Sequence, residues 1–393
     1  MAMYDVIVVG AGPSGLHAAS KLAGYGLDVL VLERKKSIGD HVVCTGIVSE
    51  EAFSELGLCR DSILKHIQRV QWKSPYGSSV EYEHPTVFAH IVDREKFDKN
   101  LGCNAKTKGV RIEFNSEVVD ISVEKDEVAV VAKQEGKKSI DYSSELVIIA
   151  TGISCNLNKK LGLGYPKNFL NGVQAEIYFD GVECTQVYVG KDIALGGFAW
   201  VVPIGGNIVR IGLMTEEDPK GSFERLIERI GKDKTKELDQ TCIQHKKIAQ
   251  GLVTKTYENR VLALGEAAGQ VKTTTGGGIY FGLICSEIAS QVVKRAFEKR
   301  NFSAKALAEY EKLWKRAIQR EILFGYYTRK FFKKFNDIQL EKLFHKAQTD
   351  GVIPLLKEKG NFDWHSELIL LLMKRIPYWQ IIKSKYNGFV RTQ

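Results

Sequence analysis

Short β-branched runs that end in glycine alternate with segments of helical period along the first part of the chain. Tyr4-Asp-Val-Ile-Val-Val9 lacks polar alternation and stops at Gly10, the pattern of a parallel strand buried on both faces. Leu16, Ala18, Ala19, Leu22 and Ala23 recur at helical spacing, so a helix is expected from about Ser14 to Tyr25, stopped by Gly26. Asp28-Val-Leu-Val-Leu-Glu33 is the next strand and completes a βαβ unit. Arg111 to Lys133 reads as two strands around a Glu124-Lys-Asp-Glu127 turn, with a third from Lys138 to Tyr142. Glu145 to Gly152 is again a buried parallel strand. Residues 173–179, 185–189, 198–203 and 208–214 alternate as antiparallel strands, the last pair joined around Gly205-Gly-Asn207. Arg260 to Gly265 is another buried strand, and Gly276-Gly-Gly278 opens a helix towards Arg300. From about Ser303 onward the pattern is helical, and no repeat of 20–50 residues is visible.

These elements predict an α/β fold: a split Rossmann-like domain, an antiparallel sheet inserted into it, and a helical C-terminal region. The expected boundaries are 1–65, 90–165 and 255–300 for the nucleotide-binding part, 66–89 and 166–254 for the sheet, and 301–393 for the helices. With 393 residues, 44% hydrophobic and 26% charged, the chain has material for a sizeable core without disulfides or metals. No apolar run approaches the roughly 18–20 residues of a membrane span. The start of the chain lacks the basic region and cleavage site of a signal peptide. Seven scattered cysteines without a C-x-x-C pair fit free thiols in a reducing cytoplasm, and no Cys/His spacing suggests a metal.

The net charge of +9 is uneven. Lys294 to Gln393 carries 22 Lys/Arg against 10 Asp/Glu, whereas residues 1–293 carry 34 against 37. Such a basic region suits a polyanionic partner or a solvated helical surface. Within it, Lys312 to Phe335 interleaves aromatic and basic residues, and Glu367 to Trp379 is a short apolar stretch flanked by charge. Core packing of the apolar face is expected, with peripheral contact of the basic face on an anionic membrane. No nucleic acid is expected as a partner.

Gly10-Ala-Gly12-Pro13-Ser14-Gly15 follows a strand and opens a helix. The first glycine permits the turn, Gly12 lets the backbone approach a pyrophosphate, and Gly15 lets helix and strand pack closely. Glu33 closes the second strand, where a carboxylate accepts from a ribose hydroxyl, and Arg34 follows it as a candidate adenosine contact or a solvated side chain. The second element is Gly265-Glu266-Ala-Ala-Gly-Gln-Val-Lys-Thr-Thr-Thr-Gly276-Gly277-Gly278-Ile279. It resembles the second FAD fingerprint of the para-hydroxybenzoate-hydroxylase superfamily and, within it, is similar to the geranylgeranyl reductases. Gly39 to Ser49, with Cys44, resembles their cysteine-containing loop, Val92-Asp-Arg94-Glu-Lys-Phe-Asp98 their R-x-x-F-D, and Gly197-Phe198-Ala-Trp200-Val-Val-Pro203 their substrate-sheet signature. The likeness covers residues 1 to about 300.

The resemblance implies FAD and an oxidoreductase that saturates carbon–carbon double bonds of isoprenoid chains on lipids or prenyl precursors. Reduced flavin would deliver hydride, an acid the proton, and NADPH, ferredoxin or a reduced deazaflavin the electrons. It makes Cys44 the catalytic candidate, as proton donor or positioning thiol, against the alternative of a small buried side chain. It places Phe198, Trp200 and Pro203 on the substrate and Arg94 on the cofactor. Three positions depart from the family pattern: Glu266 for Asp, Thr273 for Pro, and Thr151 in place of the acidic residue of A-D-G. Thr273 is expected to loosen its turn. Two other readings stay open: a flavin monooxygenase or halogenase of the same fold, and a weakly flavin-binding homologue without turnover.

Overall fold

The computed structural model describes residues 3–134, 139–231, 242–349 and 351–375. Among them, the largest sheet runs in the order Tyr257–Glu258, Val261–Ala263, Ile140–Ile149, Met3–Val9, Val29–Leu32, Arg111–Glu113, and Val128–Gln134 extends it from Ile140–Ile149 to pair with Ser116–Val123. Met3–Val9 pairs in parallel with Val29–Leu32 on one side and with Ile140–Ile149 on the other. The chain therefore reverses its winding at Met3–Val9, and the carboxyl end of that strand is where an open α/β sheet leaves a crevice for a ligand. The strands Val29–Leu32 and Val6–Val9 are fully buried, as their unbroken apolar runs require.

Two expectations change here. Arg111 to Lys133 holds three strands, Arg111–Glu113, Ser116–Val123 and Val128–Gln134, because Asn115 takes φ +51° and turns the chain between the first two. The stretches expected at 138–142 and 145–152 form one strand, Ile140–Ile149, whose first half pairs with Val128–Gln134 and whose second half lies in the parallel core. Lys138 lies outside the described residues.

The second sheet is ordered Gln244–Gln250, Asn168–Tyr178, Ile208–Thr215, Phe198–Gly205, Thr185–Tyr188, Arg69–Lys73, Ser79–Glu83, antiparallel except where Thr185–Tyr188 meets Arg69–Lys73. A third sheet, Ile47–Ser49, Ala89–Val92 and Ile63–Ile67, bridges the two. The helices Pro13–Gly24 and Ile279–Glu298 pack on one face of the parallel sheet, and the long helix Ala304–Phe332 packs on the second of them, with Leu307, Tyr310, Trp314, Ile318 and Ile322 fully buried. Three shorter helices follow: Asp337–Thr349, Val352–Lys359 and Ser366–Arg375. The interleaved aromatics of the basic region thus divide their work: Trp314 is core, with its indole N–H donated to Thr256 Oγ1 at 2.9 Å, whereas Phe332 and Phe335 face an internal cavity.

Candidate active site

A continuous cavity of about 1320 Å³ is walled by both large sheets and by the C-terminal helices. A drug-sized ligand needs roughly 300–1000 Å³, so the space accommodates a dinucleotide and a second ligand beside it.

Its first limb follows the turn after Met3–Val9. Gly10 has φ +110°, and a Cβ there would stand 2.4 Å from Ala150 O; a Cβ on Gly15 would stand 2.1 Å from Gly10 O. The protein's own backbone demands these two glycines. Gly12 differs, because its Cβ would meet no protein atom within 4 Å. It caps the helix Pro13–Gly24 with Pro13 in the first turn, so unpaired N–H groups and the positive end of the helix dipole face that space. Glu33 is fixed rather than free: one carboxylate oxygen accepts from Ala11 N at 2.6 Å and the other from Lys35 N at 2.9 Å. Each oxygen keeps a second lone pair for a ribose hydroxyl. Arg34 is exposed at the rim.

The second loop lies against the first. Gly265, at φ +66°, packs on Ser14 Oγ, which a Cβ would approach to 2.7 Å. Gly265 N donates to Gln270 Oε1 at 2.7 Å, Gln270 Nε2 donates to Tyr310 OH at 2.7 Å, and that hydroxyl donates to Ala263 O at 2.9 Å. Glu266 faces the cavity and pairs with Lys246 at 3.4 Å. Gly276, Gly277, Gly278 and Ile279 complete the wall, and Gly278 caps the helix Ile279–Glu298. Two helix N-termini therefore open on one cavity. Backbone donors, a carboxylate held in place and a glycine with empty space before it are a donor set that fits FAD.

Thr273 does not loosen its turn. Its hydroxyl is fully buried and donates to Ile322 O at 2.6 Å, which ties the loop to the long helix. Thr151 donates to Ser154 O at 2.9 Å, a bond internal to its own loop.

Cys44 sits where the limbs meet. Gly46 N donates to its Sγ at 3.4 Å. Burial pushes the thiol pKa up, but Arg94, Lys246 and the Gly46 N–H outweigh it, and the net shift is downward. Arg94 is buried and makes two bonds from Nη2 to Asp98, at 2.9 and 3.1 Å, while its Nε has no partner. It stands beside Cys44 in a buried ion pair with Asp98 and lines the cavity. The loop carrying Cys44 is held by groups that motif reasoning did not single out. Arg210 Nη1 donates to Thr45 O and Val92 O, both at 2.9 Å, and Gln174 Nε2 donates to Cys44 O at 3.3 Å. A signal existed for Arg210, a lone charge within the apolar run Ile208–Thr215.

Phe198 and Trp200 line the cavity with their rings 5.8 Å apart. Pro203 does not, because side chains alternate along a strand and Pro203 falls on the face opposite Trp200. It borders a small recess with Lys65 and Ile91 instead.

The far limb is apolar and roofed by the C-terminal region. The segment Asn361–Ser366 is bound residue by residue. Asn361 Nδ2 and Trp364 Nε1 donate to Glu51 at 3.0 and 2.6 Å. Lys272 Nζ donates to Phe362 O at 2.5 Å and to Asp363 Oδ1 at 2.7 Å. His365 Nδ1 meets Thr274 Oγ1 at 2.8 Å, and Ser366 N donates to Glu321 Oε2 at 2.9 Å. Leu368 and Leu372, on the helix that follows, line the cavity.

Residues 3–283 match the family described as FAD binding domain. The chain is 30% identical to a digeranylgeranylglycerophospholipid reductase of Methanocaldococcus jannaschii over 356 residues, covering 87% of this chain and 90% of that one. It is 31% identical to digeranylgeranylglycerophospholipid reductase 1 of Methanosphaera stadtmanae, covering 79% and 80%. Among solved structures, a geranylgeranyl bacteriochlorophyll reductase-like protein from Thermoplasma acidophilum superposes with a TM-score of 0.86 at 23% identity, over 98% of this chain and 99% of that one. A flavin-dependent brominase superposes with a TM-score of 0.73 at 15% identity over the whole of both chains, a likeness of fold alone. With its cofactor loops, its cysteine loop and this similarity over most of its length, the chain belongs to the FAD-binding family of digeranylgeranylglycerophospholipid reductases.

Proposed function

We propose that this protein is an FAD-dependent reductase that saturates carbon–carbon double bonds of geranylgeranyl chains on glycerophospholipids. The observation that carries the reading is the union of a dinucleotide cradle with an apolar limb in one cavity, walled by Trp72 and Tyr82 from the sheet and by Phe332, Phe344, Leu368 and Leu372 from the helices. A prenyl chain fits such a limb because its transfer from water stabilises the complex by about 25 cal/mol per Å² of apolar surface.

FAD, once reduced, supplies the hydride for such a reduction. Gly12 and the N-termini of Pro13–Gly24 and Ile279–Glu298 would hold its phosphates, Glu33 its ribose, and Glu266 its polyol chain. Trp200 and Phe198 orient the chain and keep water out. Cys44 holds a proton, or a negative charge shared with Arg94, at the junction of the two limbs.

Among the described residues no helix is long and apolar enough to cross a membrane. We place the substrate's entry at an anionic membrane surface, which a basic C-terminal region favours. Liposome co-sedimentation, stronger on anionic than on neutral vesicles and weakened by salt, checks this.

The central test is anaerobic incubation of the dithionite-reduced protein with geranylgeranyl glycerophospholipid, read by mass spectrometry. A gain of two hydrogens per double bond is expected. A requirement for oxygen, with a gain of one oxygen atom, would assign the protein to the monooxygenases.

A further inference from the structure

The apolar limb carries a cationic patch that neither the cofactor loops nor the cysteine loop accounts for. Arg329, near the end of the helix Ala304–Phe332, has a side chain only 10% exposed. Its Nη1 donates to Gly196 O at 2.7 Å and to Glu216 Oε1 at 3.3 Å, but its Nε is buried without an acceptor. One turn on, Lys333 Nζ pairs with Glu216 Oε2. Arg329, Lys333 and Lys191 all line the cavity. The two carboxylates nearby do not: Glu216 pairs with both Arg329 and Lys333, and Asp337 accepts from Lys191 N at 2.8 Å. Of these five charged groups only the three cations line the cavity.

We propose that Arg329 and Lys333, with Lys191 beside them, bind the phosphate of a prenyl glycerophospholipid substrate. The inference rests on the reductase reading and deepens it by assigning the residues that hold the phosphate of that lipid. The Nε is closed off from the cavity, but Nη2 has no acceptor among the described residues and can donate to an anionic oxygen, a charge-assisted hydrogen bond worth about 1.5–3 kcal/mol. Phe332 at the end of that helix, Phe335 just beyond it, and Leu340 and Phe344 on the helix Asp337–Thr349 line the cavity as well. A phosphate on the cations thus leaves the hydrocarbon chains on apolar surface. Burial pushes the Arg329 pKa down although Glu216 opposes it, so the site holds a cation that one carboxylate does not fully satisfy.

The test is equilibrium binding, so that it does not depend on turnover. Tryptophan fluorescence of the whole protein in neutral detergent micelles is titrated with two lipids of identical geranylgeranyl chains, one a glycerol phosphate and the other the free glycerol. The wild type should bind the phosphate lipid about tenfold or more tightly. Arg329→Gln and, independently, Lys333→Gln should bring the two dissociation constants towards each other, and Arg329→Lys should keep part of the preference. Lys333 is one-third exposed, so its variant remains informative if loss of the Gly196 contact unfolds the other. Inorganic phosphate is titrated in parallel. Equal affinity for the two lipids in the wild type overturns the proposal, and if inorganic phosphate alone depends on Arg329 the patch takes a free anion and the headgroup assignment is likewise wrong. Mass spectrometry of the same lipids after anaerobic reduction reports separately on the reductase reading.

Discussion

Lys272 and Asp363 form an ion pair of 2.7 Å across ninety-one residues of chain, with both side chains almost wholly buried. Lys272 belongs to the glycine-rich cofactor loop and Asp363 to the segment that roofs the cavity. Each is the other's counter-ion, and the ammonium also lies 4.4 Å from the centre of the Phe362 ring.

Removing one partner should therefore be far worse than removing both. Asp363→Ala leaves a buried ammonium without its carboxylate and is expected to cost about 3–5 kcal/mol. The double variant Lys272→Met/Asp363→Leu should recover a large part of that loss. Urea unfolding of the wild type, both single variants and the double variant measures the coupling, and losses that simply add would show that the pair is not a unit.

Two glycines of the first loop, Gly12 and Gly15, should separate folding from cofactor binding. Gly15→Val drives a side chain into Gly10 O and is expected to prevent folding. Gly12→Val meets no protein atom, so the protein should fold and melt like the flavin-free wild type, yet purify colourless. A yellow Gly12→Val protein with full flavin occupancy would move the cofactor elsewhere.

Cys44 should react as an unusually acidic thiol. Burial opposes ionisation, but Arg94 and Lys246 win, so the alkylation rate against pH should rise at lower pH than for an ordinary cysteine. Arg94→Met removes the largest stabilising charge and should shift the profile upward. The rate is read at Cys44 by peptide mass spectrometry, because Cys59, Cys103 and Cys242 are exposed. A profile that Arg94→Met leaves unmoved would exclude this electrostatic account.

His365 should set part of the acid sensitivity. Burial first, then the nearby Lys272 charge, lowers its pKa from 6.5 to about 3, with Asp363 opposing. The folded protein thus keeps the ring neutral while the unfolded chain takes up a proton. Stability from this group is intact above about pH 6.5 and falls progressively as the pH drops towards 3. His365→Gln can still pair with Thr274 and cannot titrate, so its urea midpoint should drop less than that of the wild type between pH 7 and pH 4.5. Equal drops would remove His365 from the acid response.

The parts of the site that could be read from the chain are those with local spacing. Gly10, Gly12, Gly15 and Glu33 carry their meaning within one βαβ unit, and the loop from Gly265 to Ile279 carries its own within fifteen residues. Contacts made by folding are invisible at that range. Arg210 reaches Thr45 over 165 positions, and Glu321 meets Ser366 only after the chain has turned back through two helices. The strands Ile63–Ile67, Arg69–Lys73 and Ser79–Glu83 mix charged and apolar residues as partly exposed strands do, so their pattern was too weak to separate them from loops. Pro203 shows the opposite error, in which a motif carried a residue into the site although the period of a strand turns it away.

The bonds from Lys272, Thr273 and Thr274 to Asp363, Ile322 and His365 make the glycine-rich loop and the roof of the apolar limb one mechanical part. Two ligands that each prefer this part in its ordered form must raise one another's equilibrium affinity by the same factor. Flavin should therefore bind more tightly when lipid fills the apolar limb, and lipid more tightly to the yellow protein than to the colourless one. A flavoprotein built this way holds its cofactor most firmly when there is substrate to reduce.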